Sequence, residues 1–298
     1  MLKLTLFITF STLFFGSFSQ QSGQSIDSLI NKGEETHKRG DNALAEEILK
    51  EALNLSWQNN NYQKVMECYN LIGHTRLDRS DYLIALKNYY RVLRLAEFQN
   101  DQKGVALAYN GIGNVFSYQG DFDQALNYYQ RSLELRIQEK DFEGVASSYN
   151  GIGVTYIRQQ NYEASKSYFL KSLEIKDSIG DPEGQAATNK NLGSIYYQQK
   201  DFLTALEYYS KSLRMESQLD QKKGQVSSYF NIGITHFSLE ENILALTYID
   251  SSLKLAKEVG YKKGEMQAHE AISEIYQSEG NDTKALEHFI TYSTLKDS

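Results

Sequence analysis

Residues 101–140 read DQKGVALAYNGIGNVFSYQGDFDQALNYYQRSLELRIQEK, and this stretch decides the fold. Each half carries apolar residues at three- and four-residue spacing, which predicts an amphipathic helix. The apolar positions are Val105, Ala108, Tyr109, Ile112 and Phe116 in the first half, and Phe122, Ala125, Leu126, Tyr129, Leu133 and Ile137 in the second. No part of it alternates between apolar and polar residues as a half-buried strand does. The stretch therefore predicts two helices that pack together.

The two helices are separated by Gly120-Asp121, which ends one helix and starts the next. Glycine tolerates the left-handed conformation that ends a helix, and aspartate caps the free amides of the helix that follows. The same joint recurs as Gly40-Asp41, Ser80-Asp81, Gln160-Asn161, Lys200-Asp201 and Gly280-Asn281. Asp181-Pro182 marks a boundary between repeats, because it places a capping acid before a proline at the first helical position.

Glycine returns at a constant interval of 40 residues, and other residues keep the same interval. The glycines are Gly33, Gly73, Gly113, Gly153, Gly193 and Gly233, and Ser273 takes the seventh position. Glycine inside a helix costs about 1 kcal/mol relative to alanine. We therefore expect it to let the partner helix come close, with the small Ala125 and its equivalents as the matching surface. A repeat array of this kind favours a binding surface over a catalytic pocket.

The pattern resembles the tetratricopeptide repeat, a helix-turn-helix unit. In residues 101–140, the motif's aromatic, Leu-Gly, aromatic, Ala and aromatic spacings fall on Tyr109, Ile112-Gly113, Phe116, Ala125 and Tyr129. Two features differ: the repeat has 40 residues rather than 34, and Ile137 stands at the place of the motif's closing proline. The longer repeat resembles the arrays of the Leu-Gly-Asn repeat polarity adaptors and of the bacterial Rap-type regulators.

The resemblance implies an all-α protein, a right-handed α-solenoid of about seven helix-turn-helix repeats. The repeats lie near 25–60, 61–100, 101–140, 141–180, 181–220, 221–260 and 261–298, so that the array spans residues 25–298. In such arrays the first helix of each repeat lines the concave face, and its non-core positions contact the ligand.

Those positions are rich in amides, and they are the candidate peptide-binding residues. They are Asn70, His74, Asn110, Asn114, Tyr118, Asn150, Lys190, Asn191, Ser194, Tyr197, Asn231 and Phe237. Asparagine has a donor and an acceptor, so a ladder of asparagines can pair with the backbone of an extended peptide, while the aromatic residues offer apolar pockets. Alternatively, each asparagine forms a hydrogen bond with a carbonyl group of a neighbouring loop, or it faces water. The family's carboxylate clamp also needs Lys and Arg beside Asn, and since only Lys190 with Arg158 nearby could supply them, we expect no such clamp.

The first residues resemble a secretory signal peptide. Lys3 precedes an apolar run over residues 4–15, and small residues at Ser17 and Ser19 predict cleavage before Gln20, so that residues 1–19 form the leader. The alternative, a membrane anchor, needs about 20 apolar residues, more than this run provides. We therefore expect an exported protein, periplasmic or secreted.

The composition speaks against several function classes. The formal net charge is −7, and Lys and Arg are interspersed with acids, so nucleic acid and direct lipid binding are not expected. Cys68 is the only cysteine and cannot form an intrachain disulfide, and no histidine has metal-ligand spacing. The sequence contains no recognisable nucleophile–base pair and no phosphate-binding loop. We therefore expect a protein without enzymatic activity and without a cofactor.

Two functions remain at this stage. The first is a non-enzymatic scaffold that binds a peptide or protein segment in its concave groove. The second is the input region of a membrane signalling protein, because exported arrays of this kind resemble the sensor halves of two-component histidine kinases and helix-turn-helix regulators in Bacteroidetes-type bacteria. The last helix has no polar capping helix after it in the sequence, which predicts self-association or a continuation of the chain at that end.

Overall fold

A computed structural model describes residues 26–297, and in that range the chain forms only α-helices joined by turns. The predicted all-α class is confirmed. The predicted leader, residues 1–19 with cleavage before Gln20, lies outside the described residues.

The fourteen helices of the described range have nearly equal lengths. They are α1 (26–38), α2 (Asn42–Gln58), α3 (Tyr62–Asp78), α4 (Tyr82–Gln99), α5 (Gln102–Gln119), α6 (Phe122–Gln138), α7 (Phe142–Arg158), α8 (Tyr162–Ser178), α9 (Pro182–Gln198), α10 (Phe202–Gln218), α11 (Lys222–Ser238), α12 (Asn242–Glu258), α13 (Lys262–Ser278) and α14 (Asp282–Asp297). Each odd-numbered helix and the even-numbered helix after it form one repeat, as predicted.

The helices pack as a solenoid within each of two compact halves, which meet in sequence between Gly144 and Val145. In the N-terminal half, α5 contacts its repeat partner α6, the preceding α4 and the preceding odd helix α3. In the C-terminal half, α11 contacts α12, α10 and α13 in the same way. Each repeat therefore covers the apolar side of its neighbour, as stacked helix pairs must to form a core.

The joints follow the predicted chemistry. Gly120 has φ 83°, in the left-handed region, and the Asp121 side chain accepts a hydrogen bond from the amide of Gln124 at 3.2 Å. The joints that lack glycine adopt the same conformation, with φ 61° at Ser80 and φ 62° at Lys200. The 40-residue interval therefore preserves the backbone conformation even where the residue type changes.

The repeated glycines do allow a close approach, but the atoms nearest to them belong to a large side chain, and the alanine expected from the sequence is among the closest neighbours only at Gly33 and Gly233. A Cβ added to Gly73 would lie 2.6 Å from Cε1 of Tyr89, and one added to Gly193 would lie 2.7 Å from Cδ1 of Tyr209. The even-numbered helix thus places a large side chain, 16 residues after the glycine, over the bare backbone. Ala125 is fully buried but is not among the atoms closest to Gly113.

Candidate functional site

The odd-numbered helices lie side by side, so that their non-core positions form one surface in each half. α3 contacts α5 in the N-terminal half, and α11 contacts α13 in the C-terminal half. Between α9 and α7, Asn191 Nδ2 donates a hydrogen bond to Asn150 Oδ1 at 3.2 Å. We call the surface of this kind in either half the odd-helix face of that half. Asn70 and Asn110 lie on the odd-helix face of the N-terminal half, and Asn150 and Asn191 lie on that of the C-terminal half, where the sequence predicts peptide contacts.

Asn70 and Asn110 occupy equivalent positions on α3 and α5, and both are half-buried. The Oδ1 atom of each is buried and has no hydrogen-bond partner in the described part of the chain. A buried acceptor without a donor costs about 1–3 kcal/mol, and native proteins leave few such atoms. These two oxygens therefore have acceptor capacity that the described part of the chain does not use.

A second predicted column is engaged with the core. Tyr129 on α6 donates its hydroxyl hydrogen to Asn114 Oδ1 at 2.7 Å, and Tyr209 on α10 donates to Ser194 Oγ at 3.2 Å. His74 lies edge-on to the ring of Tyr89, with the ring centroids 5.8 Å apart.

In the four repeats of residues 101–260, the residue type in this column matches the side chain that it meets. The residue is polar where that side chain carries a hydroxyl, as in Tyr129 and Tyr209. It is apolar in the other two, where Phe169 packs against Val154 and Ile249 packs against Ile234. The match does not extend to the first and last repeats, where Glu34 and Glu274 precede Leu49 and Phe289 by 15 residues. Within residues 101–260 the column is therefore set by packing inside each repeat.

Lys190 also has a partner within the protein. Its Nζ lies 2.7 Å from Oε1 of Glu216, a carboxylate that is only 2% exposed and that also accepts a hydrogen bond from Ser228 Oγ at 2.7 Å. Lys190 thus neutralises a buried charge, which is costly to leave unpaired.

The other predicted residues lie near the ends of their helices or on the same face. Tyr197 OH lies 2.9 Å from Ser238 Oγ, and its ring meets that of Phe202 with 5.5 Å between centroids. Phe237 is half-buried against the core of α12 and α13. Tyr118 is 44% exposed at the end of α5, and Asn231 is half-buried on α11.

Sequence reasoning missed a column of buried charges near the ends of even-numbered helices. Arg136 is 5% exposed, Lys176 is 9% exposed and Glu216 is 2% exposed. Lys176 Nζ donates to the carbonyl oxygen of Gly184 at 3.1 Å and to Thr188 Oγ1 at 2.9 Å. The Nε of Arg136 has no hydrogen-bond partner in the described range.

A signal for this column was present in the sequence. A second series of glycines keeps the 40-residue interval, at Gly104, Gly144, Gly184, Gly224 and Gly264. A Cβ on Gly224 would lie 2.7 Å from Oε1 of Glu216, and one on Gly144 would collide with both Oδ2 of Asp141 and Nη1 of Arg136. The second glycine column therefore makes room for the capping aspartate of its own repeat, where there is one, and for a side chain from the preceding repeat.

Other kinds of site find little support in residues 26–297. This range contains no group of three or more His, Cys, Asp or Glu side chains that could hold a metal ion. Its helices include none that is long and apolar enough to cross a bilayer. Cys68 is buried, and burial raises the pKa of its thiol to about 12, which keeps the thiol protonated and unreactive.

The sequence model described as "Tetratricopeptide repeat" matches residues 64–138 and 144–218. No curated protein matches the chain. Among solved structures, the Rap conjugation gene regulator of the plasmid pLS20, in complex with the Phr* peptide, superposes with a TM-score of 0.68 at 15% identity, covering 89% of this chain and 72% of that one.

A Rap protein complexed with Competence and Sporulation Factor gives a TM-score of 0.64 at 11% identity, covering 92% of this chain and 98% of the other. BtubC from P. vanneervenii gives a TM-score of 0.63 at 19% identity, covering 71% of this chain and 89% of the other. At these identities the likeness concerns the fold alone.

Proposed function

Because the chain belongs to the tetratricopeptide repeat family, we propose that it is a non-catalytic scaffold that binds a peptide or protein segment on its odd-helix face. Stacked helix pairs create extended binding surfaces rather than enclosed catalytic pockets. Similar folds in solved structures were determined with bound peptides, among them a Rap protein with the Phr* peptide and NprR with its cognate peptide NprX. Those complexes support the same class of ligand for this chain.

The observation that carries the proposal is the pair of buried, unpartnered Oδ1 atoms of Asn70 and Asn110. An extended peptide presents its backbone N–H groups at regular intervals, and such groups are the natural donors for amide oxygens. Binding would then satisfy acceptors that the free protein leaves unmet, which gives the peptide affinity without dependence on its side chains.

The test is the double variant Asn70→Ala/Asn110→Ala, assayed by retention of a random-sequence peptide pool on the immobilised protein. We expect retention to fall strongly while the thermal midpoint stays the same or rises, because the substitutions remove unmet acceptors. Asn127→Ala is the matched control, since Asn127 is exposed on the even-numbered helix α6. Equal retention by the double variant and the wild type would contradict the proposal.

A second candidate is the input region of a membrane signalling protein, and a specific observation favours it. On α14, Leu286 is 59% exposed, Phe289 is 54% exposed and Ile290 is 55% exposed. At the position of Phe289, Tyr129 is 1% exposed and Phe169 is fully buried. Such a face is suited to pack against a further helix. The encoding DNA beyond Ser298 decides this: an open frame with an apolar span supports the candidate, and an immediate stop codon contradicts it.

We further propose that the protein is exported, which rests on the predicted leader in residues 1–19. Amino-terminal sequencing of the mature protein from its natural host should begin at Gln20. A mature chain that begins at Met1 would contradict export by this leader.

A further inference from the structure

The N-terminal half contains a cavity of about 400 Å³ that is lined mainly by residues of α3 and α5 and also by Arg136, near the end of α6. Its lining includes Asn70, Lys103 and Arg136, together with apolar contributions from Met66 and Leu107. Ligand sites typically span about 300–1,000 Å³ and combine apolar walls with a few placed polar groups. The size and the lining of this cavity therefore suit a small group or a short segment of a longer ligand.

Of the charged residues described around this cavity, Arg136 is the most deeply buried, and one of its hydrogen-bond donors is unmet. The residue is 5% exposed, and its Nε has no hydrogen-bond partner within residues 26–297. Burial lowers the pKa of its guanidinium, against the opposing effect of Asp141 and Glu143, but arginine stays charged in proteins. A buried cation is costly unless it is paired and hydrogen-bonded.

The equivalent charged residues show how the protein satisfies such a group when its role is structural. Lys176 bonds to Gly184 and Thr188, and Glu216 bonds to Lys190 and Ser228. In three further repeats the position is occupied by Ser56, Ala96 and Ala256. The fold therefore does not need a charge at this position, and the Nε–H of Arg136 has no hydrogen-bond partner of the kind that Lys176 and Glu216 have.

None of the acids that line the same cavity forms a hydrogen bond with the Nε–H of Arg136. Glu34 Oε1 lies 2.8 Å from Nζ of Lys38, and Glu67 Oε2 lies 2.8 Å from Nζ of Lys64. Asp141 accepts a hydrogen bond from the amide of Gly144 at 3.0 Å through Oδ1, while its Oδ2 lies on the Nη1 side of Arg136, because a Cβ on Gly144 would meet both atoms. The Nε–H of Arg136 is thus left to an acceptor from outside.

Asn70 supplies the complementary half of the site, because its buried, unpartnered Oδ1 lines the same cavity as Arg136. One cavity thus presents an unmet cationic donor and an unmet neutral acceptor. The chemistry that satisfies both is a carboxylate with an amide N–H close by, since guanidinium groups bind carboxylates through charge-assisted hydrogen bonds.

We infer that this cavity anchors a carboxylate of the bound peptide, with Arg136 holding the carboxylate and Asn70 accepting the hydrogen bond of a neighbouring amide N–H. The inference rests on the proposed function, because it names the group by which the peptide is held. The carboxylate is supplied by the C-terminus of the peptide or by an Asp or Glu side chain.

The first test uses a minimal probe and does not depend on peptide capture. N-Acetylglycine, which carries one carboxylate and one amide N–H, is titrated into the ¹⁵N-labelled protein, and the Nε–H resonance of Arg136 is followed by NMR. The resonance is assigned by its absence from the Arg136→Lys variant. We expect it to shift with N-acetylglycine and to stay unchanged with N-acetylglycinamide. No shift with the acid, or equal shifts with both compounds, would overturn the inference.

The second test identifies the source of the carboxylate with two random hexapeptide pools. One pool has a free C-terminus and lacks Asp and Glu, and the other contains Asp and Glu but ends in a carboxamide. We expect retention from one of them to fall about tenfold or more in Arg136→Ala, since hydrogen bonds to charged groups are strong. Lys176→Ala is the matched control, because the protein itself satisfies Lys176, and it should leave retention unchanged.

The two proposals fail in different ways. If the wild type retains no peptide but the Arg136 resonance still shifts with N-acetylglycine, the carboxylate site stands and the peptide-binding function is wrong. If peptides are retained equally by the wild type and Arg136→Ala, and the resonance does not shift, the carboxylate anchor is wrong and the odd-helix face binds peptides by other contacts.

Discussion

The bond between Tyr129 and Asn114 offers a sharp test of how each repeat is held together. The ring of Tyr129 is 1% exposed, and its hydroxyl donates to Asn114 Oδ1 at 2.7 Å. Tyr129→Phe removes the donor and should lower the free energy of unfolding by about 1 kcal/mol. Asn114→Val removes the acceptor of a buried hydroxyl and should cost about 1–3 kcal/mol.

The double variant Tyr129→Phe/Asn114→Val recreates the pair formed by Phe169 and Val154 in the next repeat. Since replacing both partners of a hydrogen bond by apolar groups is nearly neutral, we expect the double variant to be more stable than Asn114→Val alone. The coupling energy should be about 1–2 kcal/mol.

The assay is equilibrium urea unfolding followed by circular dichroism at the helix band. Tyr90→Phe is the control, because the Tyr90 side chain is exposed, and it should change the midpoint little. If the costs of the two single substitutions simply add in the double variant, the hydroxyl–amide pair does not stabilise the repeat and the reasoning is refuted.

Three further outcomes are expected. Gly73→Ala should destabilise the protein by about 1–3 kcal/mol despite alanine's higher helix propensity, because the new Cβ would lie 2.6 Å from Cε1 of Tyr89; an unchanged urea midpoint would contradict this. Burial lowers the pKa of His74 from 6.5 to about 4. Between these two pH values the His74 imidazole is protonated in the unfolded chain but not in the folded protein. The free energy of unfolding should therefore fall as the pH drops from 6.5 to about 4, by at most about 1.4 kcal/mol per pH unit. Urea midpoints measured across that window should show a shallower slope for His74→Phe, and an unaltered slope would speak against the assignment. Lys190→Met leaves the carboxylate of Glu216 buried without its cation and should cost about 3 kcal/mol, most of which Glu216→Ala in the same chain should restore; thermal melts that show no loss in the single variant would count against the pairing.

The fold was predictable because its information repeats along the chain. The 40-residue interval, the caps such as Asp121 and the left-handed joint at Gly120 each follow from local chemistry that needs no knowledge of distant contacts. Even Ser80 and Lys200, which lack glycine's freedom, were correctly placed at joints by their register alone.

The candidate site was predicted less completely, because it depends on which side chains meet across two helices. The sequence places Asn114 on the correct helix but does not state that Tyr129 lies opposite it. Within residues 101–260 this pairing was visible only as a correlation at a distance of 15 residues, with a polar residue preceding each of Tyr129 and Tyr209 and an apolar residue preceding Phe169. Asn70 and Asn110 were predicted as contacts, and the structure adds that their oxygens are unmet.

The buried charges limit how an array of this kind can change in length during evolution. The Tyr129–Asn114 bond lies within one repeat and travels with it, whereas Glu216 depends on Lys190 beside it and on Ser228 in the repeat after it. A gene that lost residues 221–260 would bring Glu216 against the helix Lys262–Ser278, where Ala268 takes the place of Ser228.

The loss of residues 181–220 would be tolerated more easily. Lys176 would then meet the helix Lys222–Ser238, where Gly224 and Ser228 stand at the places of Gly184 and Thr188 and can supply equivalent acceptors. Repeats that look interchangeable by their glycines are thus ordered by their neighbours, and shortening the gene by one repeat is harmless at some junctions and disruptive at others.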